Sequence, residues 1–162
     1  IGCTRKMPKL LLAQSSNANP LYTAYKNNTN IKSIKAKNTL ATAIQIGDPV
    51  SASRALLALK ESNGIVEQVT DQELSDISAK IDQCGLYTCP HTAVAFAALK
   101  KSIKNNTVKK NESVVVISTA NALKFTEFKL NYHMKTLEKI KSKFANNIIN
   151  VSADYDDILK LL

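Results

Sequence analysis

Glycine is scarce in this chain: Gly2, Gly47, Gly64 and Gly85 are the only four in 162 residues, and no two are neighbours. A loop that wraps a phosphate in backbone amides needs clustered glycines, so no such loop is written here. Cysteine is nearly as rare, and its count is odd: Cys3, Cys84 and Cys89. None forms a CxxC pair and no secretory signal precedes them, so reduced, buried thiols in an intracellular compartment are expected. The two histidines, His91 and His133, have no cysteine or acidic partner at ligand spacing, which gives no metal site. The serine elbow GxSxG is missing. No apolar run approaches the roughly 20 residues of a membrane-spanning helix, and no membrane partner is expected.

Acidic residues are outnumbered, 13 against 22 Lys and Arg, for a net charge of +9. Such a balance suits an anionic substrate, but it equally describes a soluble lysine-rich protein, and the second reading is preferred. The cluster Lys100, Lys101, Lys104, Lys109 and Lys110 has no interleaved aromatics. It reads as a solvated loop rather than a nucleic-acid face, and no nucleic-acid partner is expected. With 44% hydrophobic residues, the chain is long enough for one domain with a real core.

What is present alternates between strand and helix signals. Residues 9–14 read as a strand so early in the chain that a longer protein is expected ahead of Ile1, whose neighbours show no targeting character. A Ser/Asn/Pro loop and a short helical turn over 21–26 follow, then a polar surface stretch over 27–38. Asp48 and Pro49 predict the start of a helix over 49–62, with a poorly sharpened face that suggests burial. Asn63 and Gly64 stop it, Gly64 supplying a positive φ. Residues 64–69 read as a strand. Thr70 and Glu73 form a capping box ahead of a helix with Leu74, Ile77 and Ile81 facing the core; it ends at Gly85. After a short extended piece over 86–88, Cys89-Pro90-His91-Thr92 opens a helix of small apolar residues, read as buried against a sheet. His91 is taken as a residue of that helix start rather than an anion site, and His133 as exposed. Residues 100–112 read as a loop.

Four consecutive apolar residues over 114–117 predict a strand buried on both faces, as in the middle of a parallel sheet. The run ends in Ser118 and Thr119. Ligands gather at the carboxyl ends of strands in open α/β sheets, so Thr119 is the candidate contact residue. Beyond it, 121–129 reads as helical, 137–144 as a basic amphipathic segment, 150–153 as an edge strand, and 155–162 as a terminal helix led by Asp154, Asp156 and Asp157. The order predicts an α/β fold with a mainly parallel sheet flanked by helices.

The stretches Gln14-Ser15-Ser16-Asn17-Ala18-Asn19-Pro20-Leu21, Ala41-Thr42-Ala43-Ile44-Gln45-Ile46-Gly47-Asp48-Pro49-Val50-Ser51, Cys89-Pro90-His91-Thr92, and Ser118-Thr119-Ala120 followed by Leu123-Lys124-Phe125 occur in this order. Together they resemble the C-terminal part of the threonine synthases, most closely the plant type, over essentially the whole chain. The resemblance implies part of a tryptophan-synthase-β-like (fold type II) domain that uses pyridoxal phosphate to turn O-phospho-L-homoserine and water into L-threonine and phosphate. It implies that Thr119 meets the pyridine nitrogen of that cofactor. It also implies a homodimer when complete, a plastid location (otherwise cytoplasmic), a division into a catalytic part over 1–130 and an extension over 131–162, and an exposed apolar surface over 10–13 and 39–46 where the rest of the domain is missing. The family's Schiff-base lysine lies upstream of these residues, so no catalytic residue is expected here and Lys124 does not replace it. Asn121 and Ala122 stand where the family has His and Gly, and Ala93 stands for a Gly; each is expected to crowd or rewire the cofactor edge. A degenerate relative that binds a partner, a basic nucleic-acid-binding protein on a borrowed fold and a related lyase such as threonine dehydratase are the alternatives.

Overall fold

The computed structural model describes residues 6–161; Gly2 and Cys3 therefore lie outside the described residues. Two strands of five residues, β1 (Leu11–Ser15) and β2 (Ile65–Val69), form a parallel pair with Leu11 opposite Ile65 and Ser15 opposite Val69. Parallel neighbours need a crossover. Here it contains α1 (Pro20–Asn27), a 3₁₀ turn over Thr42–Ile44 and α2 (Ala52–Glu61). Alternation puts Leu11 and Ala13 on one face of β1. That face meets a core of Ala41, Val69, Leu74, Ala93, Val94, Ala97 and Ala98. Ala93, Ala97 and Ala98 lie on α4 (Pro90–Lys104), and their single methyls let the helix come close to the sheet.

Helix α3 (Asp71–Asp82) begins with the capping box read from the sequence: the Glu73 amide donates to the Thr70 hydroxyl at 3.2 Å and the Thr70 amide to the Glu73 carboxylate at 2.8 Å. Leu74 and Ile81 are buried, and Gly85 takes the positive φ of +80° that closes the turn. Helix α5 (Thr126–His133) is pinned to α3 by a buried ammonium: Lys129 Nζ lies 2.7 Å from both Asp82 oxygens and 2.6 Å from Ser78 Oγ. A short α6 (Tyr155–Leu159) has Asp154 as its cap, accepting from the Asp156 and Asp157 amides.

Several elements differ from the sequence reading. Residues 114–117 are not a strand; Val115 and Ile117 are 90% and 77% exposed, and among the described residues no backbone hydrogen bond joins this run to a neighbour. An apolar run reports a tendency to be covered, while a strand also needs a partner to pair with. Helix α2 starts at Ala52, one turn later than Asp48-Pro49 suggested, and buries only Leu59. Its blurred face reflects exposure, not burial. The positive φ after it belongs to Asn63 (+48°). Gly64 is needed instead for room: a Cβ there would stand 2.6 Å from Leu59 Cδ2 and 2.9 Å from the Leu10 carbonyl oxygen.

Lys101 and its neighbours to Lys104 are helical, and Lys101 is no solvated charge: it reaches the Glu73 carboxylate at 3.0 Å and the Gln68 carbonyl at 2.7 Å. Residues 150–153 form no strand, and 137–144 no helix. The latter lies on α3 through a paired contact, Gln72 Nε2 to the Lys141 carbonyl and the Lys141 amide to Gln72 Oε1, both at 2.8 Å. Cys84 is exposed. His133 is half-buried and accepts from the Asn146 amide at 2.9 Å. The surface over 10–13 and 39–46 is divided: Leu11, Ala13, Leu40 and Ile44 pack on the core, while Leu10 and Ile46 stay exposed, at 42% and 48%.

Candidate functional site

Cys89 is the N-cap of α4, with Pro90 in the first turn, where its missing N–H leaves nothing unpaired. The Cys89 thiol accepts from the Thr92 amide at 3.4 Å. A residue three places into a helix sits beside its cap, so the Thr92 hydroxyl comes within 3.3 Å of the same sulfur. The chain then leaves α4 and returns alongside 87–89. An antiparallel bridge pairs Thr88 with Asn121, the Cys89 amide donates to the Ala120 carbonyl and the Ala122 amide to the Tyr87 carbonyl, each at 3.1 Å. This pinning places Thr119 over the helix start. Its amide donates to Thr92 Oγ1 at 3.1 Å, and its hydroxyl lies 3.4 Å from Thr92 Oγ1 and 3.5 Å from Cys89 Sγ.

The result is a triangle of one thiol and two hydroxyls. Cys89 and Thr92 are buried, at 0% and 1% exposure, whereas Thr119 is exposed. The triangle therefore opens outward only through Thr119. Burial pushes the Cys89 thiol up. The Thr119 and Thr92 hydroxyls, the Thr92 amide and the His91 imidazole outweigh it and bring the thiol down to about 6. The Lys129 ammonium is close enough to feel the sulfur's charge.

His91 has a structural task of its own. Its Nε2 accepts from the Ala43 amide at 2.9 Å. An amide can only donate, so the neutral ring keeps its proton on Nδ1. The ring also meets Phe125 edge-on at 5.1 Å, which ties the 3₁₀ turn over Thr42–Ile44 to the one over Ala122–Phe125. Asn121 caps that second turn, its Oδ1 accepting from the Leu123 amide at 2.9 Å. Ala122 is buried and does not take a positive φ, so no glycine is required there. Ala93 puts its methyl into the core cluster. Among the described residues no three His, Cys, Asp or Glu groups converge as metal ligands.

Sequence reading singled out Thr119 but gave Cys89 and Thr92 no role. The signal was present: Cys-Pro-x-Thr at a helix start brings an N-cap side chain and the third helical residue to one point. What it lacked was the segment 27 residues later that completes the triangle.

Three comparisons bear on the chain. A family model described as pyridoxal-phosphate dependent enzyme matches residues 3–120. The chain is 44% identical over 164 residues to chloroplastic threonine synthase 2 of Arabidopsis thaliana, spanning 100% of this chain and 32% of that one. It is 34% identical over 125 residues to the threonine synthase of Methanocaldococcus jannaschii, spanning 76% of this chain and 31% of that one. The crystal structure of threonine synthase from Escherichia coli superposes with a TM-score of 0.63 at 18% identity, over 96% of this chain and 37% of that one. The last likeness shows the α/β fold. The chain spans about a third of the length of the curated relatives it matches.

Proposed function

The chain belongs to the family of pyridoxal-phosphate-dependent enzymes, and on that premise we propose that it is the C-terminal part of a threonine synthase. The reaction is the conversion of O-phospho-L-homoserine and water to L-threonine and phosphate. The observation that carries this reading is the 44% identity to a plant relative across all of this chain.

The residues present suit one edge of the cofactor. Thr119 offers an exposed hydroxyl whose backbone is already held by Thr92, and that hydroxyl donates to a ring nitrogen when its proton is not drawn inward to Cys89 or Thr92. A neutral donor of this kind does not favour a protonated ring, unlike a carboxylate. Bound pyridoxal phosphate supplies the electron sink for proton loss from the substrate. The chain's own contribution is to fix that hydroxyl on a helix start and keep water from the Cys89 and Thr92 side of it. Grip on the cofactor phosphate and the Schiff-base lysine belong to the other two-thirds of the enzyme. The 162 residues alone are therefore expected to form no threonine.

The finer assignments follow the same reading: a small-molecule substrate, a homodimer when complete, a plastid location like that of the Arabidopsis relative, and a division into 1–130 and 131–162. No helix among the described residues is long and apolar enough to cross a membrane. The exposed side chains of Val115 and Ile117 favour one second reading, a degenerate relative that only binds a partner.

A chimera tests the proposal. Residues 1–162 replace the matching third of Arabidopsis threonine synthase 2, and threonine and phosphate are measured from O-phosphohomoserine. Activity that falls in the Thr119→Val version supports the proposal. A folded chimera that binds the cofactor but makes no threonine overturns it in favour of the degenerate relative.

A further inference from the structure

We propose that Cys89 is a positioning residue whose protonation decides whether Thr119 turns a proton or a lone pair toward the space beyond it. What occupies that space rests on the function proposed above; the switch itself rests only on atoms of this chain.

The number of protons shared by the three atoms sets which way each one points. Three contacts join Cys89 Sγ, Thr92 Oγ1 and Thr119 Oγ1, at 3.3, 3.4 and 3.5 Å. Thr92 Oγ1 already accepts from the Thr119 amide, and Cys89 Sγ from the Thr92 amide. With the thiol protonated, S–H donates to one hydroxyl and Thr92 O–H to another vertex. Two internal bonds are then made without the Thr119 proton, which is free to point outward. With the proton lost to solvent, the sulfur is an anion with two hydroxyls beside it. Both donate inward, because a hydrogen bond to an ionised acceptor is about twice as strong as a neutral one. Turning Thr119 outward would then leave a buried charge short of a donor. The outward face of Thr119 becomes an acceptor.

The surroundings allow the anion. His91 keeps its Nδ1 proton because Nε2 is taken by the Ala43 amide, and the ring is among the groups that lower the thiol. From α5, Lys129 faces the site as a cation. Its partner carboxylate is Asp82 on α3, and Tyr87 lies under the same ammonium with its ring centroid at 4.9 Å. No carboxylate contacts the sulfur directly among the described residues. The thiol thus changes state inside the ordinary working range of pH, where a serine at this place would not.

The test uses the 162-residue chain with Cys3→Ser and Cys84→Ser, so that Cys89 is the single thiol. Its ionisation is followed by ultraviolet thiolate absorbance against pH, with circular dichroism as the check on folding. The midpoint is expected near 6. Thr119→Val removes the inward donor and is expected to raise the midpoint by about one pH unit, a tenfold change in the equilibrium. Thr119→Ser keeps the donor and the midpoint. If Thr119→Val folds and leaves the midpoint unmoved, the switch is refuted. Should Thr119→Val not fold, the Thr119 amide resonance decides: it should titrate with Cys89 in the parent and lose that step in Cys89→Ser. A step that persists in Cys89→Ser overturns the proposal. No cofactor or turnover enters these readouts, so an inactive chimera would leave the switch standing, and an unmoved midpoint would leave the threonine-forming reading standing.

Discussion

Thr119 and Thr92 are joined twice across 27 residues, by the Thr119 amide on Thr92 Oγ1 at 3.1 Å and by the two hydroxyls at 3.4 Å. One buried side chain thus fixes both the backbone and the hydroxyl of the residue that opens the triangle. Thr92→Val keeps the shape and removes both bonds. It should destabilise the chain by about 1–2 kcal/mol, the cost of leaving buried groups unpaired, and speed hydrogen exchange at the Thr119 amide. Thr92→Ser should recover most of the loss. Urea unfolding and amide exchange measure the two effects; unchanged exchange in Thr92→Val would mean that Thr119 is held by something else.

Lys129 and Asp82 tie α5 to α3 with side chains only 5% and 17% exposed. Removing one partner of a buried pair leaves an uncompensated charge and typically costs about 3–5 kcal/mol. Asp82→Leu should therefore be more damaging than the double variant Asp82→Leu/Lys129→Met, which leaves no lone charge. Urea midpoints of the singles and the double form the cycle, and strict additivity would contradict the pairing.

Two glycines should respond to alanine for different reasons. Gly64→Ala drives a methyl to 2.9 Å from the Leu10 carbonyl oxygen, backbone that cannot swing aside, and overpacking of this kind costs about 1–3 kcal/mol. Gly85→Ala meets nothing within 4 Å but must hold φ at +80°, a left-handed conformation that costs an L residue about 1–2 kcal/mol. A double-variant cycle with Leu59→Ala separates them. Leu59 is buried, so Leu59→Ala is itself destabilising. It should cost less in the Gly64→Ala background, where it removes the Cδ2 that the new methyl meets at 2.6 Å, and its full amount in the Gly85→Ala background, as read by thermal unfolding.

Glu73 carries the acid limb of stability at the start of α3. Its burial raises the carboxyl, but the Thr70 amide, the Lys101 ammonium and the Thr70 hydroxyl together hold it below its ordinary value of 4.5. The unfolded chain therefore takes up this proton first as pH falls. The stabilisation is complete above about 4.5 and is lost as pH drops through the lower folded value. Glu73→Gln, which keeps the capping geometry, should lose less stability than the parent between pH 5 and 3 on the order of one titrating group. Parallel loss in both proteins would remove Glu73 from the acid response.

Val115 and Ile117 stand in solvent at 90% and 77% exposure. Exposed apolar chain of this kind promotes association. Val115→Glu with Ile117→Glu should lower concentration-dependent self-association in sedimentation velocity while leaving the unfolding midpoint of the core unchanged. A lowered midpoint would show that the run packs more firmly than its exposure indicates.

The short-range features follow from the chain's local residues. The Thr70–Glu73 capping box, the Cys89-Pro90 helix start, the small-residue face of α4, the Gly85 stop and the Asp154 cap are all decided within three or four residues, by bonds a short segment makes with itself. The alternation of these pieces was enough for an α/β fold, and ordered motifs were enough for a family resemblance. Tertiary structure decided the rest. Thr119 has its meaning only because the Thr88–Asn121 bridge lays it over Cys89 and Thr92. Lys129 is buried only because Asp82, 47 residues earlier, receives it. His91, read as part of a helix start, became a brace once Ala43 stood opposite its Nε2. The run over 114–117 marks the boundary most clearly. Four apolar residues state that a segment should be covered, but a strand is a relation between two backbones, and composition does not name the second one.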